Sequence, residues 1–316
     1  MAKGETGAVL EVVRAGIQTT VQDLGRIGLR HLGVAKAGAL DRYSLILANR
    51  LVGNADDSAG LEIVVGPMVL SFTRDAQIAI CGADFDASLD GVSVAPGWRI
   101  RVRAGQVLRL RGAMKESRAY LAVDGGLDVP LVLGSRATDL QAYMGGWQGR
   151  ALQNGDRLPL GEAGLSRKAI GVLQRTWIPE IRAIPGPEYE EFSCASRKAF
   201  WQHAWKSSVQ SNRMGLRLQG SVLQREAQYD LLSHAVFPGM VQVPPNGQPI
   251  VLMADAQTTG GYPRLASVIG ADLWKLAQTP PGQHFCFVQC DHAQALEAQE
   301  RWSSELALLA WGMQRT

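Results

Sequence analysis

Period-two alternation of apolar and polar residues is the strongest constraint on how this chain folds. Gln77-Ile-Ala-Ile-Cys81, Trp98-Arg-Ile-Arg-Val-Arg103, Gln106-Val-Leu-Arg-Leu-Arg111 and Arg118-Ala-Tyr-Leu-Ala-Val123 send successive side chains to opposite faces, which is the pattern of strands. Ala8–Val13 reads as a further strand. Across the Ala104-Gly105 break, Arg99, Arg101, Arg103, Arg109 and Arg111 alternate with Ile100, Val102, Leu108 and Leu110. That spacing predicts a hairpin with one wet face and one core face, and makes the arginine cluster a solvated surface. Helical signals are few: Asp41–Val52 with Asp41 as its cap, Glu190–Ala204, Ala271–Ala277 and Asp291–Leu309.

A chain of 316 residues that is 46% hydrophobic and 19% charged has the composition of a soluble globular protein of about two domains, which excludes disorder and fibre. The net charge is only +3 and the basic residues are scattered, so nucleic acid is not an expected partner. No apolar run is long enough to span a bilayer, and Met1-Ala-Lys-Gly-Glu-Thr-Gly7 leads into the first strand without a signal core, so a cytoplasmic location is expected. Cys81, Cys194, Cys286 and Cys290 lack zinc-ligand spacing and read as buried reduced thiols. Alternation fades between Gly161 and Glu190, where Pro159, Pro179, Pro185 and Pro187 gather. A domain boundary falls there, giving domains 1–165 and 166–316. Arg26-Ile-Gly-Leu-Arg30 recurs as Arg213-Met-Gly-Leu-Arg217, Ala83-Asp84 as Ala254-Asp255, and Thr138-Asp-Leu140 as Ala271-Asp-Leu273. The kept order favours duplication of one β-rich unit.

The nucleotide-loop, dinucleotide-fold, zinc-protease and serine-hydrolase signatures are absent. His203 and His284 lie in aromatic stretches and read as packed structural imidazoles; Lys115 of Ala113-Met-Lys-Glu116 reads as an exposed turn lysine. Polar residues concentrate in two loops. Thr19, Thr20, Gln22, Asp23 and Arg26 form the first; Asp255-Ala-Gln257-Thr258-Thr259-Gly260-Gly261-Tyr262-Pro-Arg264 follows the apolar run Pro249–Met253. Thr-Thr-Gly-Gly offers hydroxyls and backbone N–H groups to an oxyanion or phosphate, and Asp255 offers a base or an oxygen ligand for Mg²⁺. The alternative for each loop is a tight turn whose polar side chains satisfy their own backbone. Ser211-Asn212-Arg213-Met-Gly-Leu-Arg217 adds an amide and two guanidinium groups suited to a carboxylate or phosphate. Val241–Pro249 reads as strand, turn, strand, with Gln242 either a polar reader or a surface glutamine.

Thr19-Thr-Val-Gln-Asp-Leu-Gly-Arg26, Gly38-Ala-Leu-Asp41, Leu47-Ala-Asn49, Leu51-Val-Gly-Asn54, Leu61-Glu62 with Gly66-Pro67, Ser211-Asn-Arg-Met-Gly215 and Asp255-Ala-Gln-Thr-Thr-Gly-Gly-Tyr-Pro263 together resemble the biotin-dependent carboxyltransferase family. That family includes the C component of bacterial ATP-dependent 5-oxoprolinase, KipA-like antagonists of a kinase inhibitor, allophanate hydrolase subunit 2 and part of the carboxyltransferase region of urea carboxylase. The resemblance covers about residues 8–290. It implies a mainly β fold of two tandem cyclophilin-like β-barrel domains with a few short helices. It also implies opening of 5-oxo-L-proline to L-glutamate, with ATP and Mg²⁺ shared among partner proteins: a KipI-like B component and a LamB/YcsF-like A component of the 5-oxoprolinase. The alternatives are carboxyl transfer to urea or a related amide, and regulatory binding of a kinase inhibitor. No biotin-accepting segment is present, so no covalent biotin is expected on this chain.

For the oxoprolinase chemistry, Asp255, Arg213 and Thr258 are the expected catalytic residues. Asp255 does metal or proton work, Arg213 or Arg217 takes the substrate carboxylate, and Thr258 and Thr259 with the Gly260-Gly261 amides take a phosphoryl group. Asn212, Gln242, Gln257 and Tyr262 orient the ring amide, and Thr20, Gln22, Asp23 and Arg26 are further substrate-binding candidates. The family's usual Ser-Glu is Ser233-His234 here. Phe200-Trp201-Gln-His-Ala-Trp205 is expected to be a helix packing on its own barrel.

Overall fold

A computed structural model of the chain describes residues 7–164, 167–227 and 229–314. The expected boundary at 165/166 and the first six residues lie outside the described ones. The chain forms two compact units: Met1–Arg26, Asp41–Arg175 and Ala307–Thr316 make the first, Ile27–Leu40 and Thr176–Leu306 the second.

Unit 1 contains β1 (Val9–Arg14), β2 (Gln18–Gln22), α1 (Arg42–Val52), β3 (Gly60–Val64), β4 (Met68–Phe72), β5 (Ala76–Gly82), β6 (Ala87–Leu89), β7 (Val92–Val94), β8 (Arg99–Val102), β9 (Val107–Leu110), β10 (Arg118–Val123) and β11 (Arg157–Pro159). They form a six-stranded sheet in the order β11-β1-β4-β9-β6-β7 and a five-stranded sheet in the order β2-β3-β10-β5-β8. Leu10, Leu70, Phe72 and Leu108 from the first sheet and Leu61, Ile63, Ile80 and Leu121 from the second share one apolar core, as alternation requires. Asp41 starts α1 by accepting the Ser44 N–H at 3.0 Å, and Gly53 at φ 83° ends it.

Two expectations fail here. The Arg99–Arg111 stretch is not a hairpin: β8 pairs with β5, whereas β9 pairs with β4 and β6 in the other sheet. Alternation fixes which face a side chain takes, not which strand lies alongside. Arg99 is buried rather than solvated, its guanidinium donating to the carbonyls of Leu51 and Lys168; Arg101, Arg103, Arg109 and Arg111 are exposed as expected. The stretch where alternation fades also runs beside unit 1, since Arg99 N–H donates to Ile170 O and Val172 N–H to Gly97 O, each at 2.9 Å.

Unit 2 contains β12 (Glu180–Pro185), α2 (Cys194–Gln202), β13 (Trp205–Ser207), β14 (Gly215–Gln219), β15 (His234–Ala235), β16 (Met240–Gln242), β17 (Ile250–Leu252), β18 (Thr259–Gly260), β19 (Arg264–Val268), α3 (Leu273–Gln278), β20 (His284–Gln289) and the start of α4 (His292–Gln314), whose residues from Ala307 on belong to unit 1. A closed barrel runs β12-β19-β16-β17-β14-β13-β20, and β15 and β18 form a separate two-stranded ladder. Its core holds Ile181, Phe200, Trp205, Leu216, Val241, Val251, Phe285 and Phe287, together with Leu40. The Trp-rich stretch does pack on its own barrel: Trp205 is fully buried and donates to Phe200 O at 3.0 Å, and Phe200 stacks on Phe287 at 4.6 Å. His203 and His284 are exposed, correcting the packed reading. His203 follows the end of α2, and His284 shares the outward parity of Val288 while Phe285 and Phe287 turn inward. Cys81 and Cys290 are buried, but Cys194 is exposed and Cys286 half-buried. The fold is thus mainly β, with short helices apart from α4. Among the described residues no helix is long and apolar enough to cross a membrane.

Candidate functional site

The Asp255 loop leaves the barrel directly after β17, so a closed ladder fixes its root. Asp255 and Arg213 meet in a bidentate pair, Nε to Oδ2 and Nη2 to Oδ1, both at 2.8 Å. Their side chains are 1% and 3% exposed. Arg213 Nη2 also donates to Gly38 O at 2.7 Å, and Asp255 N–H to Arg213 O at 3.0 Å. The two residues expected to divide catalysis between them are therefore each other's ligands. With both carboxylate oxygens accepting from one guanidinium, the pair clamps the root of the loop. Residues 27–40 brace the same loop: Ala37 N–H donates to Ala254 O at 3.1 Å, and Arg30 Nη2 donates to Gln257 O at 3.2 Å and to Val236 O.

Beyond the clamp, the structure brings several expected residues together. A Cβ placed on Gly260 would lie 3.1 Å from Gln242 Nε2 and 3.5 Å from Gln257 Nε2, so both amides crowd that glycine. Gln242 is buried, not on the surface, and its Nε2 donates to Tyr262 O at 3.2 Å. Thr258 is half-buried and Thr259 exposed, and Thr259-Gly260 pairs with His234-Ala235. Tyr262 is 45% exposed and lines a cavity of about 730 Å³ with Phe192, Leu223, Val243, Pro244 and Pro263.

Asn212 and Arg217 are not part of this group. Asn212 Oδ1 accepts from Met214 N–H at 2.9 Å and Gly215 N–H at 3.2 Å, an Asx turn that sets the start of β14. Arg217 is exposed opposite Ile250, whereas the loop departs at the Leu252 end of β17, opposite Gly215.

Sequence reasoning assigned no role to Glu188, Arg264 or His234. Arg264 holds Glu188 through its backbone N–H and Nε, both at 2.8 Å, and through Nη2. Burial pushes the Glu188 carboxyl up, but the Arg264 hydrogen bonds outweigh it and leave the group below the ordinary glutamate range. Nothing in the sequence pairs residues 188 and 264, which come together because β19 returns beside β12.

In unit 1 the first polar loop is also tied up locally. Asp23 Oδ1 accepts from Gly25 N–H and Ser135 Oγ, both at 2.7 Å, and Oδ2 from Arg136 N–H at 2.5 Å. Arg26 donates to Ala137 O at 2.8 Å, and Gln22 Nε2 to Thr20 Oγ1 at 3.0 Å and Thr138 O at 3.1 Å. Asp23 and Arg26 thus tie the first loop to the 135–138 segment. Arg26 and Arg213, matched in the sequence repeat, play alike parts: each is buried and each donates to a backbone carbonyl. Neighbouring strands of the second sheet align Thr20, Glu62, Tyr120 and Cys81 in one buried row. Tyr120 Oη donates to Glu62 at 2.7 Å and accepts Asp41 N–H at 2.8 Å. Burial, reinforced by the Glu62 and Asp41 charges, raises the Tyr120 phenol well above its usual value.

This β-barrel scaffold with its clamped Thr-Thr-Gly-Gly loop defines a carboxyltransferase-type domain. The sequence profile described as carboxyltransferase domain, subdomain A and B, matches residues 32–289, and the chain belongs to that family. It is similar to the C component of 5-oxoprolinase from Escherichia coli K12, with 51% identity over 304 residues covering 96% of this chain and 98% of that protein. The Haemophilus influenzae protein of the same name is 42% identical over 279 residues, covering 88% of this chain and 90% of its own length. Among solved structures, K. lactis urea amidolyase superposes with a TM-score of 0.89 at 29% identity; the match covers 98% of this chain but 20% of that one.

Proposed function

We propose that this chain is the C component of an ATP-dependent 5-oxoprolinase, which opens 5-oxo-L-proline to L-glutamate. The observation that carries this reading is the 51% identity to a protein of that name across nearly the whole of both chains. A five-membered lactam resists water, so its opening is coupled to ATP hydrolysis. In the proposed site, Gln242 and Gln257 orient the amide, Thr258, Thr259 and the Gly260-Gly261 amides receive the anionic oxygens, and Tyr262 borders the entrance. Among the described residues no group of three or more His, Cys, Asp or Glu side chains is arranged to hold a metal ion. Asp255, the residue expected to carry Mg²⁺, commits both oxygens to Arg213. These residues do not fit a Mg²⁺-ATP site, and the proposal assigns none of them to it; the A and B components, working with this chain in the cytoplasm, complete the enzyme.

The test is ATP-dependent glutamate release from 5-oxoproline by this chain assembled with its gene neighbours, with each component omitted in turn. Turnover that disappears without this chain is the expected result. The likeness to urea amidolyase supports a second reading, carboxyl transfer to an amide. A complete, folded assembly that leaves 5-oxoproline intact but consumes carboxybiotin with urea would replace the first reading with the second.

A further inference from the structure

His234 lies on β15, in register with Gly260 of β18, beside the glycine that the Gln242 and Gln257 amides crowd. Its Nδ1 is 3.0 Å from Leu232 O. A carbonyl oxygen only accepts, so Nδ1 carries the hydrogen and Nε2 keeps the lone pair. Nε2 is buried and has no hydrogen-bond partner within the protein. Among the described residues of unit 2 it is the one side-chain acceptor left so; the other such atoms there are guanidinium donors of Arg30 and Arg225. A buried acceptor without a donor is rare in folded proteins and marks a place where something outside the chain supplies one. Glu188 is within electrostatic reach of the ring. Arg264 holds that carboxylate in place. Across the ladder His234 is in register with Gly260, and neither residue of β18, Thr259 or Gly260, titrates.

We propose that His234 Nε2 is the proton carrier for amide opening at this loop. The inference rests on the oxoprolinase reading above. ATP hydrolysis by the assembled enzyme, which consumes its own water and releases ADP and phosphate, drives the opening, and Nε2 takes a proton from a second water molecule as that water's oxygen bonds to the amide carbon. The C–N bond then breaks with its electron pair on nitrogen, and the nitrogen takes the proton from Nε2–H. One water is added across the C–N bond, the second water hydrogen stays with the new carboxyl group, and the imidazole returns to its neutral form. The Leu232 carbonyl keeps the tautomer that leaves Nε2 able to accept.

The experiment is steady-state glutamate release by the assembled enzyme across pH, with wild type, His234→Gln and His234→Glu. Wild-type kcat/KM carries an acid limb, as a general base requires. His234→Gln loses roughly 10²-fold or more in kcat, with KM near the wild-type value and no acid limb from the imidazole. His234→Glu recovers part of kcat, and its acid limb moves to lower pH because a carboxylate stays ionised there. A merely structural role would depress both variants alike and leave the limb where it was. Wild-type kcat and an unchanged acid limb in His234→Gln overturn the proposal while the oxoprolinase reading stands; an inactive but complete wild-type assembly overturns both. If His234→Gln does not fold, ¹⁵N spectra of the full-length wild-type chain decide: Nδ1 protonated and Nε2 bare at neutral pH is expected, and the opposite tautomer refutes the assignment.

Discussion

At Asp255 and Arg213 two charges are almost wholly withdrawn from water and spend themselves on one another. Breaking such a pair from one side strands the other charge, so Asp255→Ala or Arg213→Ala is expected to cost about 3–5 kcal/mol. Replacing both with apolar residues, Asp255→Leu with Arg213→Met, leaves no unpaired charge and should be less destabilising than the two single losses summed. Urea unfolding of the four species in a double-mutant cycle measures the coupling; additive losses would show that the pair is not acting as a unit. The sequence displays a carboxylate in a polar loop and a guanidinium 42 residues away, but residue type alone does not reveal which ion is already neutralised. The same blindness makes Asp23 and Arg26 look like substrate contacts, although their hydrogen bonds go to the 135–138 segment. Gln242 is legible as a buried reader only in part: strand parity puts it off one face, and the closing of the barrel then decides that this face is covered.

Two ion pairs lock elements of unit 2 to one another. Glu188, in the turn before α2, grips Arg264 at the start of β19, and Asp272, just before α3, grips Arg182 in β12 through Nε at 3.0 Å and Nη2 at 2.6 Å. Burial raises each carboxyl, but its arginine lowers it further, so both sit below their ordinary values. Their stabilisation is complete above the unfolded carboxyl values near about pH 4. It disappears as pH falls through the lower folded values. Thermal unfolding between pH 7 and pH 2 should therefore show an acid-side loss of stability, and Glu188→Gln should flatten part of that loss; an identical acid profile in the variant would remove this pair from the account. Elements with a strong local signal are readable in the sequence: α1 from its Asp41 cap, β10 from its short run Ala-Tyr-Leu-Ala-Val. The partners of β8 and β9 are not, because no local residue says which sheet a strand will join.

For the whole chain, a mainly β fold in two parts is foreseeable from composition and periodicity, whereas the route between the parts is not. Dividing the sequence at a proline-rich stretch assumes that each part is continuous. Unit 2 instead takes in residues 27–40, with Leu40 in its core and Gly38 on Arg213. A fragment covering 166–316 is accordingly expected to form a looser barrel than the same fragment with 27–40 restored. Hydrogen exchange at residues 254–262 reports the difference, and equal protection in both fragments would show the segment to be dispensable. The excursion also sets a timetable for synthesis. Residues 27–40 leave the ribosome long before the strands that receive them, and at the usual elongation rates the interval is on the order of ten seconds. For that time the nascent chain carries an early segment whose docking place has not been made, and the clamp at Asp255 cannot close around Gly38 until the last third of the message has been read.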